Sequence, residues 1–122
     1  LTGACVVALG EEITALMSNN SELSQKILAS AEEAGEKMWE MPLEKNYKKL
    51  IKSEIADIKN TGSRWGGAIT AGLFLQNFVN DIPWVHLDIA GPAFAERVVD
   101  PYTGKGGTGH GVRTLLHYLR SF

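Results

Sequence analysis

One cysteine, Cys5, stands in a chain of 122 residues. An internal disulfide framework is therefore excluded, and the single thiol fits a reducing compartment. No apolar stretch is long enough to span a bilayer, and no basic-then-apolar leader opens the chain. Charge of one sign is also missing. Twelve basic against fourteen acidic side chains leave a formal charge of -2, which removes any electrostatic case for nucleic acid or an anionic membrane. No serine sits in a G-x-S-x-G elbow, which argues against a serine hydrolase. Internal repeats, low-complexity tracts and domain linkers are absent too.

What is present is a 44% hydrophobic content, enough for a core in one domain or part of a larger one. The first residue is Leu1, and residues 4 to 9 form an apolar run closed by Gly10, which reads as a strand covered on both faces. A chain that opens inside a core strand is expected to be a fragment. Ser18 to Ser21 supply capping chemistry for a helix from near Glu22, with Leu23, Ile27, Ala31 and Ala34 at helical spacing and Gly35 as its stop. Met38 to Pro42 read as a connector, because proline pushes Met41 out of the helical region. Leu43, Tyr47, Leu50 and Ile51 predict a second amphipathic helix with a solvated lysine face. Ile55 to Lys59 read as a short strand and Asn60 to Ser63 as a turn.

The run from Ala68 to Val79 is apolar nearly all round and predicts a buried helix, whose Gly67, Ala68, Ala71 and Gly72 let it lie close to a sheet. In Trp84 to Gly91, Val85, Leu87 and Ile89 share one face, with His86, Asp88 and Ala90 on the other. That segment reads as the central strand, its carboxyl end opening onto a cleft. A loop from Pro92 to Gly109 leads to a closing helix marked by Val112, Leu115, Leu116 and Leu119. Strands alternating with helices predict an α/β layer architecture.

Candidate chemistry is sparse. Gly104 to Gly109 match G-x-G-x-x-G by letter, but a polar loop precedes them and thirteen residues follow, so no dinucleotide-binding βαβ unit can be completed. His86 and Asp88, two apart on one strand face, could hold a metal with His110 and Asp57, or could form a hydrogen-bonded pair under a helix. An independent mononuclear metal hydrolase built on His86 and Asp88 is one reading of that pair. Cys5 lies in an apolar run without a demonstrable base and reads as a structural thiol.

Several stretches, in order along essentially the whole chain, resemble the leucyl aminopeptidase or cytosol aminopeptidase family. They are Leu1-Thr2-Gly3-Ala4, Met38 to Leu43, Ala56 to Gly62, Gly66 to Ala71, His86 to Pro92, and Thr108 to Leu115. The resemblance implies an α/β fragment of a mixed-sheet sandwich with helices on both faces: residues 1–122 would be the C-terminal portion of the catalytic domain, without its N-terminal metal-binding portion. It implies a cytoplasmic, homohexameric enzyme that removes N-terminal, leucine-like residues from peptides. Two divalent ions, Zn or Mn, supply the attacking hydroxide, polarise the scissile carbonyl and anchor the free amine in that family. The family's metal-binding carboxylates and lysines lie upstream of the L-T-G-A segment, so this chain is expected to carry no metal ligand and no catalytic residue. Asn60 to Arg64 lack the acids of the family's N-T-D-A-E-G-R stretch and cannot replace it.

The same resemblance assigns substrate-pocket walls. Leu1 and Gly3 would line the cleft, Thr61 would lie toward the leaving group, and Ala90 with Ala93 would leave room for a large apolar P1 side chain. Two readings remain open here: Ala90 can be small because a helix packs against it, and Gly3 fits backbone approach and turn geometry equally. Trp39 and Trp65 suit contact anchors or lids over the core. The isolated chain is expected to be inactive, with a non-catalytic assembly or binding module as the rival reading.

Overall fold

The computed structural model describes residues 2–122; the expectation for Leu1 falls outside them. Four helices and five short strands follow in the order α1 (Ala4–Leu9), β1 (Thr14–Ser18), α2 (Ser21–Ala34), β2 (Met38–Glu40), α3 (Gly67–Gln76), β3 (Val85–Asp88), β4 (Phe94–Ala95), β5 (Gly106–Gly107) and α4 (Val112–Arg120), with a 3-10 helix over Lys45–Ile51. The α/β expectation holds. Strands β2, β1 and β3 make a mixed sheet in that order, β1 running parallel to β2 and antiparallel to β3.

The centre of the sheet is β1, and the segment from Trp84 to Gly91 supplies a flanking strand. Thr14, Ala15, Leu16 and Met17 are all fully buried. A strand covered on both faces shows no alternation, and its Ala, Leu and Met favour helices in isolation. Tertiary burial overrides that preference. Ala15 and Met17 face Cys5 of α1 and Ala68 of α3, while α2 and α4 pack together on the other side. Gly72 carries the close approach on the α3 side: a Cβ there would stand 2.7 Å from the Met17 sulfur.

Residues 4 to 9 are a helix, contrary to the strand expectation. A six-residue apolar run has no period long enough to decide. Gly3, at φ 71°, turns the chain into α1, which buries Cys5 and leaves Val7 91% exposed. Met38–Glu40, read as a connector, pairs with β1 through Thr14, Ala15 and Leu16. The helix at Leu43 to Ile51 is of the 3-10 type. Ile55 to Lys59 form no strand: Ile55 is fully exposed, the Ser53 hydroxyl accepts from the Ile55 and Ala56 N–H groups, and Lys59 N–H donates to the Ile51 carbonyl. Period-two patterning there has no partner strand to pair with.

Helix α2 agrees closely with expectation. Asn20 accepts from the Leu23 N–H at 2.8 Å as N-cap, and Gly35 ends the helix in the left-handed region at φ 70°. Helix α4 begins differently. Gly111 precedes it, and the cap comes from Glu36, just beyond α2.

Candidate substrate-pocket walls

A cleft of about 700 Å³ opens between the start of α1 and the start of α3. Gly3 and Thr61, assigned to the pocket by resemblance, both line it, together with Thr2, Asn60 and Gly62. Nothing in the chain lies within 4 Å of a Cβ built on Gly3, whose φ of 71° places it in the left-handed region that favours glycine. Trp65 is 78% exposed, with the Arg64 guanidinium 5.6 Å from its ring centroid. It is not a lid over the core, and neither is Trp39, which is 65% exposed.

Ala90 and Ala93 lie elsewhere. The Asp88 carboxylate accepts from the Ala90 N–H at 3.2 Å, turning the chain as β3 ends, and the Ala93 N–H closes the turn on the Ile89 carbonyl at 3.0 Å. Ala90 is exposed and Ala93 half-buried, and neither lines the cleft that holds Gly3 and Thr61. A link between the two regions comes from α1, whose Cys5 thiol donates to the Asp88 carbonyl at 3.8 Å.

Burial foremost, and then the Asp88 charge, push the Cys5 thiol up to about 11. Such a thiol is a poor nucleophile. At pH 8, alkylation of Cys5 in the folded protein is expected to run at least about a hundredfold slower than in urea, because so little thiolate forms. Equal rates in the two states would contradict the structural role.

His86 and Asp88 do not assemble a metal site. Among the described residues no group of three His, Cys, Asp or Glu side chains stands close enough to hold an ion. His86 Nε2 is buried with no hydrogen-bond partner, and the ring stacks on Trp84 with centroids 6.1 Å apart. The expected pairing of His86 therefore does not form at that nitrogen. Burial lowers its proton affinity, against the opposing pull of Asp88. Asp57 is exposed on the irregular segment, and His110 Nε2 shares a 2.7 Å hydrogen bond with Thr14 Oγ1.

A residue that sequence reasoning missed organises this end of the molecule. Glu36 is 4% exposed, and its carboxylate accepts from the Gly111 N–H at 3.0 Å, the Thr114 N–H at 3.0 Å and the Thr114 hydroxyl at 2.6 Å. Burial works against its charge, but the Thr114 hydroxyl and the two N–H donors outweigh it and hold the carboxyl below its ordinary range. Beside it, Lys37, Arg97, Thr108, His110 and Arg113 help enclose a cavity of about 100 Å³ under the 92–109 loop. The available signal was an acid directly after a helix-ending glycine, where no helix of its own needs it.

Comparison with known proteins agrees with this architecture. The family model described as the cytosol aminopeptidase family, catalytic domain, matches residues 1–116. A probable cytosol aminopeptidase from a Picosynechococcus species is 59% identical over 121 residues, covering 99% of this chain and 24% of that protein. A tomato leucine aminopeptidase mutant superposes with a TM-score of 0.90 at 42% identity, over 100% of this chain and 23% of its own. The bottromycin maturation enzyme BotP in complex with Mn superposes with a TM-score of 0.94 at 43% identity, over 99% of this chain and 27% of its own. The chain thus spans about a quarter of the length of the curated relatives it matches. No helix among the described residues is long and apolar enough to cross a membrane.

Proposed function

This chain belongs to the cytosol aminopeptidase family, and from that membership we propose that it is the C-terminal portion of a metal-dependent aminopeptidase that removes leucine-like N-terminal residues from peptides. Its part is to supply walls of the substrate pocket and subunit contacts of a homohexamer. The observation that carries the reading is the family match over nearly the whole chain, in a segment whose side chains form no metal cluster among the described residues. The residues present do not fit a pair of divalent ions. That supports a reading in which Zn or Mn, with its ligands, belongs to the remainder of the parent protein, and no step of the hydrolysis is assigned to a metal held here. The relative solved in complex with Mn supports divalent-metal use, and the relatives' common name supports a cytoplasmic location.

What this chain's own groups do is shape and exclude. Gly3 and Thr61 line one cleft, and Ala90 with Ala93, on a separate turn, leaves a P1 side chain space to be desolvated. Neither alanine can take or give a proton. Binding energy realised along an apolar P1 side chain is the contribution such walls make to catalysis.

The purified 122-residue chain is expected to leave a leucyl amide intact with or without added Mn or Zn, whereas the parent protein hydrolyses it and loses the activity on chelation. Metal-dependent hydrolysis by the chain alone would overturn the assignment of the ions to the remainder of the protein. Chelator-insensitive hydrolysis by the parent would overturn metal dependence itself.

A further inference from the structure

The turn that carries Ala90 and Ala93 is held from one side by a single threonine. Thr108 makes three hydrogen bonds here: its N–H donates to the Ala93 carbonyl at 3.1 Å, its hydroxyl donates to the Pro92 carbonyl at 2.6 Å, and that hydroxyl accepts from the His110 N–H at 3.2 Å. The pairing of Phe94 with Gly107 and of Ala95 with Gly106 continues this zipper along the loop. His110 ties the assembly to the buried central strand through Thr14 Oγ1, and Glu36 fixes the next residue through the Gly111 N–H. From the middle of the sheet to the Pro92–Ala93 peptide, each link is thus a hydrogen bond made by a short, half-buried or buried group.

We propose that Thr108 is a positioning residue for the P1 pocket: together with His110 and Thr14 it fixes how far the Ala90–Ala93 turn stands from the bound side chain. The proposal rests on the reading of Ala90 and Ala93 as pocket walls. Its physical basis is that Gly91 and Pro92 are packed on one side of the turn, while the two methyl side chains, Ala90 exposed and Ala93 half-buried, do little to hold the other, which leaves that side to its backbone anchors. The depth of a pocket lined by such a turn follows its backbone anchors. Releasing the turn alters the fit of a long apolar side chain far more than that of a methyl, because the longer chain reaches the displaced wall.

The test uses the parent aminopeptidase and compares kcat/KM for leucyl and alanyl amides. Thr108→Val keeps the shape and the N–H but removes the hydroxyl. It is expected to lower the leucyl-to-alanyl ratio about fivefold or more, chiefly through KM for the leucyl substrate, a size consistent with loss of a buried hydrogen bond. Thr108→Ser is expected to restore the ratio. An unchanged ratio in Thr108→Val, or an equal loss on both substrates, would overturn the proposal and leave Thr108 a structural residue. Should Thr108→Val fail to fold, Thr14→Val releases the other end of the same chain of bonds and is expected to shift the ratio in the same direction; an unchanged ratio would likewise overturn it. Ala90→Met separates the two levels. If it fills the pocket and collapses the leucyl preference while Thr108→Val does nothing, the positioning role fails alone. If Ala90→Met leaves the ratio untouched, the pocket-wall reading fails and the inference falls with it.

Discussion

Replacing Glu36 with glutamine is expected to destabilise the fold by about 3 kcal/mol, although the substitution removes one atom's identity and no volume. Both carboxylate oxygens accept, one from the Gly111 N–H and the other from the Thr114 N–H and hydroxyl. An amide has one acceptor, so whichever way Gln is turned its NH2 group faces a backbone N–H that points at it. A buried donor is left unpaired, and charge-assisted bonds are exchanged for neutral ones. The start of α4 also loses the negative charge that its first-turn N–H groups favour. Glu33→Gln provides the comparison: its 3.4 Å contact with His117 is exposed, and a change within about 0.5 kcal/mol is expected. Urea unfolding measures both, and faster amide exchange at Gly111 and Thr114 in Glu36→Gln localises the effect.

The pH dependence has a defined sign. Glu36 has a lower proton affinity folded than unfolded, so its contribution is fully present above the ordinary glutamate pKa of about 4.3 and is lost as pH falls through the lower, folded value. The stability difference between the native protein and Glu36→Gln should therefore shrink on acidification below that range. A difference independent of pH from neutrality to strong acid would show that the carboxylate's charge is not what holds α4.

Gly91→Ala is expected to cost about 2–3 kcal/mol. The added Cβ would stand 2.8 Å from the Gly10 carbonyl oxygen and 2.9 Å from Glu11 Cα. Those are backbone atoms of the turn between α1 and β1, so no side chain can swing aside. One of the two turns must move, and the 90–93 segment moves with it. Gly104→Ala, where nothing lies within 4 Å, is expected to change stability by no more than about 0.5 kcal/mol. Equal effects of the two substitutions, read from thermal or urea unfolding, would contradict the close approach.

These two positions illustrate what a sequence can carry. Local rules found α2 with both its caps and α4, because each has enough turns to show a period, and the buried helix around Ala68 to Leu73, because its run is long and apolar nearly all round. They could not find β1, whose centrality follows from burial on both faces, or decide that Ala4 to Leu9 coil rather than extend. Glu36 escaped because its partners at Gly111 and Thr114 are distant in sequence and meet it only after α2 and α4 pack. The pocket-wall proposal rests on family resemblance alone: Gly3, Thr61, Ala90 and Ala93 bear no chemistry that spacing could flag. Resemblance could not show that Gly3 and Thr61 share a cleft while Ala90 and Ala93 stand on a separate turn, which is a fact of three-dimensional placement.

The most direct measurement is an anomalous diffraction experiment on the Mn-loaded parent protein holding an inhibitor with a leucine-like P1 side chain. No side chain of these 122 residues is expected at a coordinating distance from either ion, and the isobutyl group is expected to pack against Ala90 and Ala93. Coordination by His86 or Asp88, or an isobutyl group seated away from both alanines, would contradict that reading.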